Sequence, residues 1–374
     1  TVNLAPADIK KEGPWYDLPI ALGILAASKQ LPMESLTDAL VLGALSLDGS
    51  VGAVTGAMPM LLAARRQGVK RALLPAENAR ECACLGGVAL YPIANLAEAV
   101  GFLRGEKQLE CAVQPAPSEG APEEEPTVDL ANVRGQYAAR RALEIAASGG
   151  HNLLLIGTAG SGKTMLARCL PGILPRMTEE EAMETTVIHS VTDGFRGGLM
   201  AQRPFSAPHH TASAAALIGG GRGAMPGEVT KAHNGVLFLD ELPEYPRSVL
   251  EALRQPLEDG VVTVARANAR CVYPANFQLV CAMNPCPCGN YGSRTQACRC
   301  APHEVQRYLG RISGPLLDRI DMVVEMDAVP PEEVFSGRGA QESSRTVRAR
   351  VEAARAVQNA RYRGMGFYCN ARIP

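Results

Sequence analysis

The sequence predicts an α/β protein with a phosphate-binding loop, and three stretches carry that prediction. Residues 152–156 are a short apolar run of the kind that forms a buried strand. The run breaks into Gly157-Thr158-Ala159-Gly160-Ser161-Gly162-Lys163-Thr164, and Met165-Leu166-Ala167 then opens a helical pattern. Strand, G-x-x-x-x-G-K-T and helix in that order are a P-loop in the context it requires. A second apolar run, Gly235-Val236-Leu237-Phe238-Leu239, delivers Asp240 and Glu241 at its C-terminal end, where α/β sheets gather their ligands. A third, residues 277–283, ends in Asn284.

Each of these residue types suits one task in phosphoryl chemistry. The glycines let residues 157–162 fold into a cup of inward-pointing N–H groups, which holds phosphate together with the helix N-terminus. Lys163 is expected to reach the β- and γ-phosphates of ATP, and Thr164 to place its hydroxyl on Mg²⁺. Asp240 is expected to hold the same Mg²⁺, and Glu241 to polarise the attacking water as general base. Asn284 is placed to orient that water; the alternative is a turn-forming Asn before Pro285. Arg319, in Gly314-Pro315-Leu316-Leu317-Asp318-Arg319-Ile320-Asp321, cannot easily reach its own loop. It is a candidate arginine finger for a neighbouring subunit; the alternative is a surface ion pair with Asp318 or Asp321.

Bulk properties bound the rest. A length of 374 residues with 47% apolar content supports two or three domains. The net charge of −1 gives no global attraction to nucleic acid, so any such binding needs a local basic surface. No apolar run has transmembrane length, no secretory signal pattern is present, and a cytoplasmic location is expected. The chain opens on Thr1-Val2-Asn3-Leu4, which reads as a strand entered midway, so a preceding segment is expected. The eleven cysteines are odd in number, which suits metal binding in a reducing compartment better than a disulfide framework.

Taken in order, residues 1–113 read as one α/β domain. Helices are expected at 18–28, 59–67 and 96–103, and strands at the end of 36–45, at 72–75 and at 88–91, with Asp48-Gly49 as a turn. Residues 114–128 form a Pro- and Glu-rich linker with nothing to bury. A second domain covers 129–328. It opens with residues 129–136, either a cover for an adenine or an ordinary entry loop, before a helix at 137–147. Residues 179–232 form a glycine-rich, basic insertion with no acid between Asp193 and Glu228. Its His209-His210 pair lacks a third metal ligand at evident spacing. Residues 261–264 and 269–273 read as a hairpin. Phe195, Arg196, Arg266 and Arg270 are candidates to grip a phosphodiester backbone; the alternative is solvated loops and interface packing. Cys286-Pro287-Cys288 and Cys298-Arg299-Cys300 offer four thiols to tetrahedral Zn²⁺, with free thiols or redox chemistry as alternatives. Residues 329–374 hold a helix at 343–362 and read as the start of a C-terminal helical lid.

Two resemblances follow from these residues. The first domain resembles the proteolytic domain of Lon, a ribosomal S5 domain 2-like fold. At the positions of that family's Ser–Lys dyad stand Trp15, after Gly13-Pro14, and Met58, so the resemblance implies the fold without peptidase chemistry. The whole chain resembles the ComM/YifB family of magnesium-chelatase-like AAA+ ATPases. The resemblance rests on Asp17-Leu18-Pro19-Ile20-Ala21-Leu22-Gly23, Gly150-His151-Asn152, the P-loop, Pro204-Phe205-Ser206-Ala207-Pro208-His209-His210 and Pro226-Gly227-Glu228. It continues through Ala232-His233-Asn234 with the acid-bearing run, Leu253-Arg254-Gln255-Pro256-Leu257-Glu258, Asn284-Pro285-Cys286-Pro287-Cys288-Gly289 and residues 314–321.

The resemblance implies an AAA+ core with an insertion in helix 2 and a hairpin before sensor 1, assembled as a hexameric ring. It implies Walker A at Lys163 and Thr164, Walker B at Asp240 and Glu241, sensor 1 at Asn284 and a trans-acting finger at Arg319. The family's sensor 2 Arg lies in the lid beyond its first helix. The implied activity is that of an ATP-driven helicase in DNA branch migration during natural transformation, with single-stranded or branched DNA as partner. The alternatives are a chelatase-like or other protein-remodelling ATPase and a nucleotide-dependent scaffold.

Overall fold

The computed structural model describes residues 2, 13–112, 128–192, 195, 197–220, 224–266, 269–293, 296–330 and 341–373. The N-terminal strand reading, nearly all of the 114–128 linker, Arg196 and the side chain of Arg266 lie outside the described residues. Two compact units divide the chain. One holds residues 1–121 and 182–200, and the other 122–181 and 201–374.

The first unit contains α1 (Asp17–Ala27), β1 (Ala39–Val41), β2 (Ala44–Leu45), β3 (Val51–Gly52), α2 (Ala57–Arg66), β4 (Arg71–Pro75), α3 (Ala76–Cys82), β5 (Ala89–Ile93) and α4 (Leu96–Leu103). Strands β1, β4 and β5 form a parallel sheet in the order β1-β4-β5. Alternation along β4 sends Leu73 to one face, with Leu18, Leu22 and Ile93, and Ala72 and Leu74 to the other, with Met58 and Leu61. The turn expected at Asp48-Gly49 joins β2 and β3: Asp48 Oδ1 accepts from Ser50 N at 3.0 Å, and Gly49 takes φ +84°. Helix α4 spans the expected residues, capped by Asn95 Oδ1 accepting from Glu98 N at 2.8 Å.

Helix α3 has no apolar period to announce it. It is held by a polar residue: buried Asn78 accepts from Val54 N at 2.9 Å and donates to Val54 O at 2.8 Å. Residues 182–200 also depart from the sequence reading. Met183, Val187 and Phe195 pack against the Met58–Leu61 cluster, so this segment belongs to the first unit.

The second unit contains α5 (Tyr137–Gly149), β6 (Leu153–Gly157), α6 (Lys163–Ile173), α7 (Glu179–Ser190, up to Glu181), β7 (Phe205–Ser206), α8 (Ala214–Ile218), β8 (Gly219–Gly220), β9 (Met225–Pro226), α9 (Glu228–Lys231) and β10 (Val236–Leu239). After these come α10 (Arg247–Glu251), α11 (Arg254–Asp259), β11 (Val261–Arg266), β12 (Ala269–Pro274), β13 (Gln278–Met283), α12 (Pro302–Leu309), α13 (Gly314–Leu317), β14 (Met322–Met326) and α14 (Ser344–Arg361). Five strands form one sheet in the order β14-β6-β13-β10-β7, and every neighbouring pair is parallel. All four residues of β10 and all six of β13 are buried, as expected of continuous apolar runs covered on both faces.

One face is covered by α5, α6 and α14, where Leu143, Leu166, Leu170, Val347 and Val351 meet Val236 and Phe238. The other packs Leu237 and Leu239 against Val249, Leu253 and Leu316. Helix α14 lies where the helix of residues 343–362 was expected; Arg350 ties it to Glu144 of α5 at 2.7 Å. The expected hairpin is β11 and β12, paired antiparallel from Val261↔Pro274 to Arg266↔Ala269. Register aligns the strand ends: Leu239 sits opposite Cys281, and Met283 opposite Ile156. Gly157, Asp240 and Asn284 therefore leave the sheet along one edge. Among the described residues, no helix is long and apolar enough to cross a membrane.

Candidate nucleotide site

The loop between β6 and α6 has the conformation that its glycines permit. Gly160 and Gly162 take φ +77° and +90°, the left-handed region that other residues enter at a cost. Gly157 is required for a different reason: a Cβ there would lie 2.5 Å from Met326 O and 2.7 Å from Ser161 Oγ. Lys163 is 8% exposed, and its ammonium donates to Gly157 O at 2.7 Å, Thr158 O at 2.9 Å and Asn284 Oδ1 at 3.2 Å. Burial pushes its pKa down, and Asp240 partly offsets this. Thr164 Oγ1 donates to Asp240 Oδ2 at 2.7 Å, and Asp240 Oδ1 accepts from Glu241 N at 3.0 Å.

This donor set fits a nucleotide and its cation. Free N–H groups at the start of α6, an ammonium, a hydroxyl and a carboxylate converge on one sheet edge. Thr158 Oγ1 and Ser161 Oγ are buried in the same loop without a hydrogen-bond partner among the described residues, a cost that phosphate oxygens can offset. Asp240 and Thr164 are the groups that would hold Mg²⁺. The segment 129–136 is anchored here as well. Gln136, at φ +52°, donates through Nε2 to Ser161 O at 3.0 Å and to Asp327 O at 2.6 Å, cross-linking the loop to the end of β14.

Glu241 is in the left-handed region at φ +53°, a conformation that costs a non-glycine residue of the order of 1 kcal/mol and recurs at functional sites. Its Oε2 lies 2.9 Å from His210 Nδ1. The His209 ring packs on His210 at 4.1 Å, and Tyr245 OH donates to Pro208 O at 2.6 Å. The histidine pair thus lies beside the carboxylate of Glu241. Sequence reading missed His210 and Gln136 as site residues. The signal for His210 lay in β7, which pairs parallel with β10 and carries the following residues to the Asp240 end. A strand of two residues gives no visible period.

Arg319 is exposed, and its Nη2 donates to Glu258 Oε1 at 2.6 Å. Its partner is therefore Glu258, not Asp318 or Asp321; Asp321 instead accepts from Asn152 N at 2.7 Å. The four clustered thiols do come together, with all four Sγ atoms within 4.8 Å of one another. Backbone N–H groups of Arg299 and then Asn290 lower the Cys288 pKa to about 6. Arg270 is exposed on β12, whereas Phe195 is half-buried in the first unit, its ring partly occupied by packing.

Comparison with known proteins gives a consistent set of matches. A family model described as magnesium chelatase, subunit ChlI, matches residues 129–334, and one described as subunit ChlI of Mg-chelatase matches residues 1–78. The chain is 45% identical over 375 residues to competence protein ComM of Haemophilus influenzae, covering 100% of this chain and 73% of that protein. It is 45% identical over 359 residues to YifB of Escherichia coli K12, covering 96% of this chain and 70% of that protein. A 133-residue stretch is 31% identical to the magnesium-chelatase 67 kDa subunit of Chlorobaculum parvum, covering 36% of this chain and 19% of that subunit.

The geometry separates binding from turnover. Lys163→Ala should weaken ATP binding at least tenfold, about 1.4 kcal/mol or more, in equilibrium titration. Glu241→Gln should bind ATP with near-normal affinity and lose roughly a hundredfold or more in turnover. Normal steady-state hydrolysis in Glu241→Gln would remove it as general base.

Proposed function

Because the chain belongs to the magnesium-chelatase-like family that includes ComM and YifB, we propose that it is an ATP-hydrolysing ring motor acting on DNA, a branch-migration helicase in natural transformation. The observation that carries the ATPase reading is the meeting of Lys163, Thr164, Asp240 and Asn284 at one sheet edge, with Glu241 beside them. Lys163 binds the β- and γ-phosphates once it exchanges its carbonyl partners for them. Asn284, already on the Lys163 ammonium, positions water near the γ-phosphate. Glu241 takes that water's proton, with His210 beside its carboxylate. Bound Mg²⁺ supplies charge neutralisation on the phosphate oxygens from Thr164 and Asp240.

The second unit is an AAA+ core that holds, in β11–β12, the hairpin before sensor 1, and the helix-2 insertion is residues 179–232, of which 182–200 belong to the first unit. The first unit is a Lon-like fold without peptidase chemistry: Met58 is fully buried and Trp15 packs half-buried on the same cluster. The working form is a cytoplasmic homo-hexamer in which Arg319 leaves its exposed partner Glu258 and stabilises the γ-phosphate of a neighbouring subunit. An exposed ion pair of this kind contributes little stability, so exchanging it costs little. Arg266 and Arg270 of the second unit contact single-stranded or branched DNA, and Phe195 and Arg196 of the first unit are separate candidates for such a contact. The name of the Haemophilus influenzae relative supports placing the activity in competence.

The motor reading is tested by steady-state ATPase rates with and without single-stranded and branched DNA at two salt concentrations. DNA should stimulate hydrolysis, and the stimulation should weaken as salt rises. Basal hydrolysis that DNA leaves unchanged would contradict the motor and favour a chelatase-like, protein-remodelling ATPase or a nucleotide-timed scaffold. For Arg319, Arg319→Ala subunits mixed into wild-type assemblies should depress the rate more steeply than their fraction; strictly proportional loss would contradict action in trans.

A further inference from the structure

We propose that Cys286, Cys288, Cys298 and Cys300 form a closed tetrathiolate site for one Zn²⁺-class cation, and that this ion braces the loop from β13 to α12, which begins at Asn284. The sulfur positions carry the first half. Cys286 Sγ lies 3.4 Å from Cys288 Sγ and 3.7 Å from Cys298 Sγ, and Cys288 Sγ lies 3.6 Å from Cys298 Sγ. Cys300 completes the group, all four Sγ atoms falling within 4.8 Å of one another. Four thiolates around a tetrahedral ion at Zn–S of about 2.3 Å have S···S edges of about 3.8 Å. A disulfide would need about 2.05 Å, and all four cysteines are free. An iron–sulfur cluster interposes several iron and sulfide atoms and holds its thiolates farther apart. The spacing therefore fits a single ion.

Ligand chemistry narrows the ion. Thiolate sulfur selects zinc-class cations over the oxygen-seeking Mg²⁺ of the nucleotide site. Four protein ligands leave no open position, which marks a structural site. Tyr291 N donates to Cys286 Sγ at 3.3 Å, the outer hydrogen bond that a metal-bound thiolate accepts. The two ligand pairs come from separate short loops, so a shared ion ties residues 286–288 to 298–300.

The second half of the proposal rests on the nucleotide reading; the metal site does not. Asn284 is separated from Cys286 by Pro285 alone and accepts from Lys163 Nζ. Gly289, next to Cys288 and at φ +81°, faces both Asn284 and the phosphate-binding loop: an added Cβ would sit 3.9 Å from the Asn284 amide carbon and 4.0 Å from Ala159 N. Fixing the thiol loop thus restrains Asn284, and through its bond to Lys163 the phosphate-binding loop.

The test uses the full chain. Elemental analysis should give about one zinc per chain, and Co²⁺ exchanged into the native protein should give the absorption bands of tetrahedral cobalt thiolate. Absence of metal after refolding with Zn²⁺, with all four thiols titratable, would overturn the site. Cys298→Ser and Cys300→Ser, on the loop away from Asn284, should lose the metal and weaken ATP binding about tenfold or more. Chelation of the native protein gives the same readout without a substitution. Metal loss with unchanged ATP affinity would overturn the brace and leave the metal site standing. No ATP binding in the zinc-loaded wild type would defeat the nucleotide reading, and the coupling with it, but not the metal count.

Discussion

The hydrogen bond from Thr164 to Asp240 exists because parallel strands end at the same level. Residues 76 positions apart in the chain meet at 2.7 Å only if β6 and β10, with β13 between them, hold their register. A slip of one residue would turn Asp240 to the opposite face and bury a carboxylate among leucines. Two apolar clusters oppose that slip, because β10 commits Val236 and Phe238 to one side and Leu237 and Leu239 to the other. The core therefore does more than stabilise the second unit. It sets the distance between the phosphate-binding loop and the acids that would share its cation.

Polar contacts then refine what the sheet places roughly. Gln136 ties the loop to the end of β14, and Lys163 spans loop carbonyls and Asn284. Glu241 departs from the sheet in a strained backbone conformation, with His210 at its carboxylate. That contact is partly exposed and adds little to stability. Its consequence is one of place, since it puts an imidazole beside the carboxylate.

Legibility in the sequence followed continuity along the chain. The phosphate-binding loop, Asp240 and Asn284 were readable because each sits at the end of one unbroken apolar run. Helix α4 was readable from the run of residues 96–103, and the structure adds its Asn95 cap. Helix α3 was not, because a buried asparagine bonding a distant backbone replaces the usual hydrophobic stripe. His210 was not, because its position depends on a two-residue strand. The allegiance of residues 182–200 was hidden for a related reason. Met183 and Val187 show a face that wants burial and do not say which core receives it.

Thr164 and Asp240 would act as one cation-holding unit. The most direct test is a double-mutant cycle on Thr164→Val and Asp240→Asn, read as the gain in ATP affinity that Mg²⁺ confers. Each single change should remove most of that gain, and the pair should lose little more than the worse single, a coupling of about 1 kcal/mol or more. Additive losses, or a Mg²⁺ effect that survives both changes, would contradict the site.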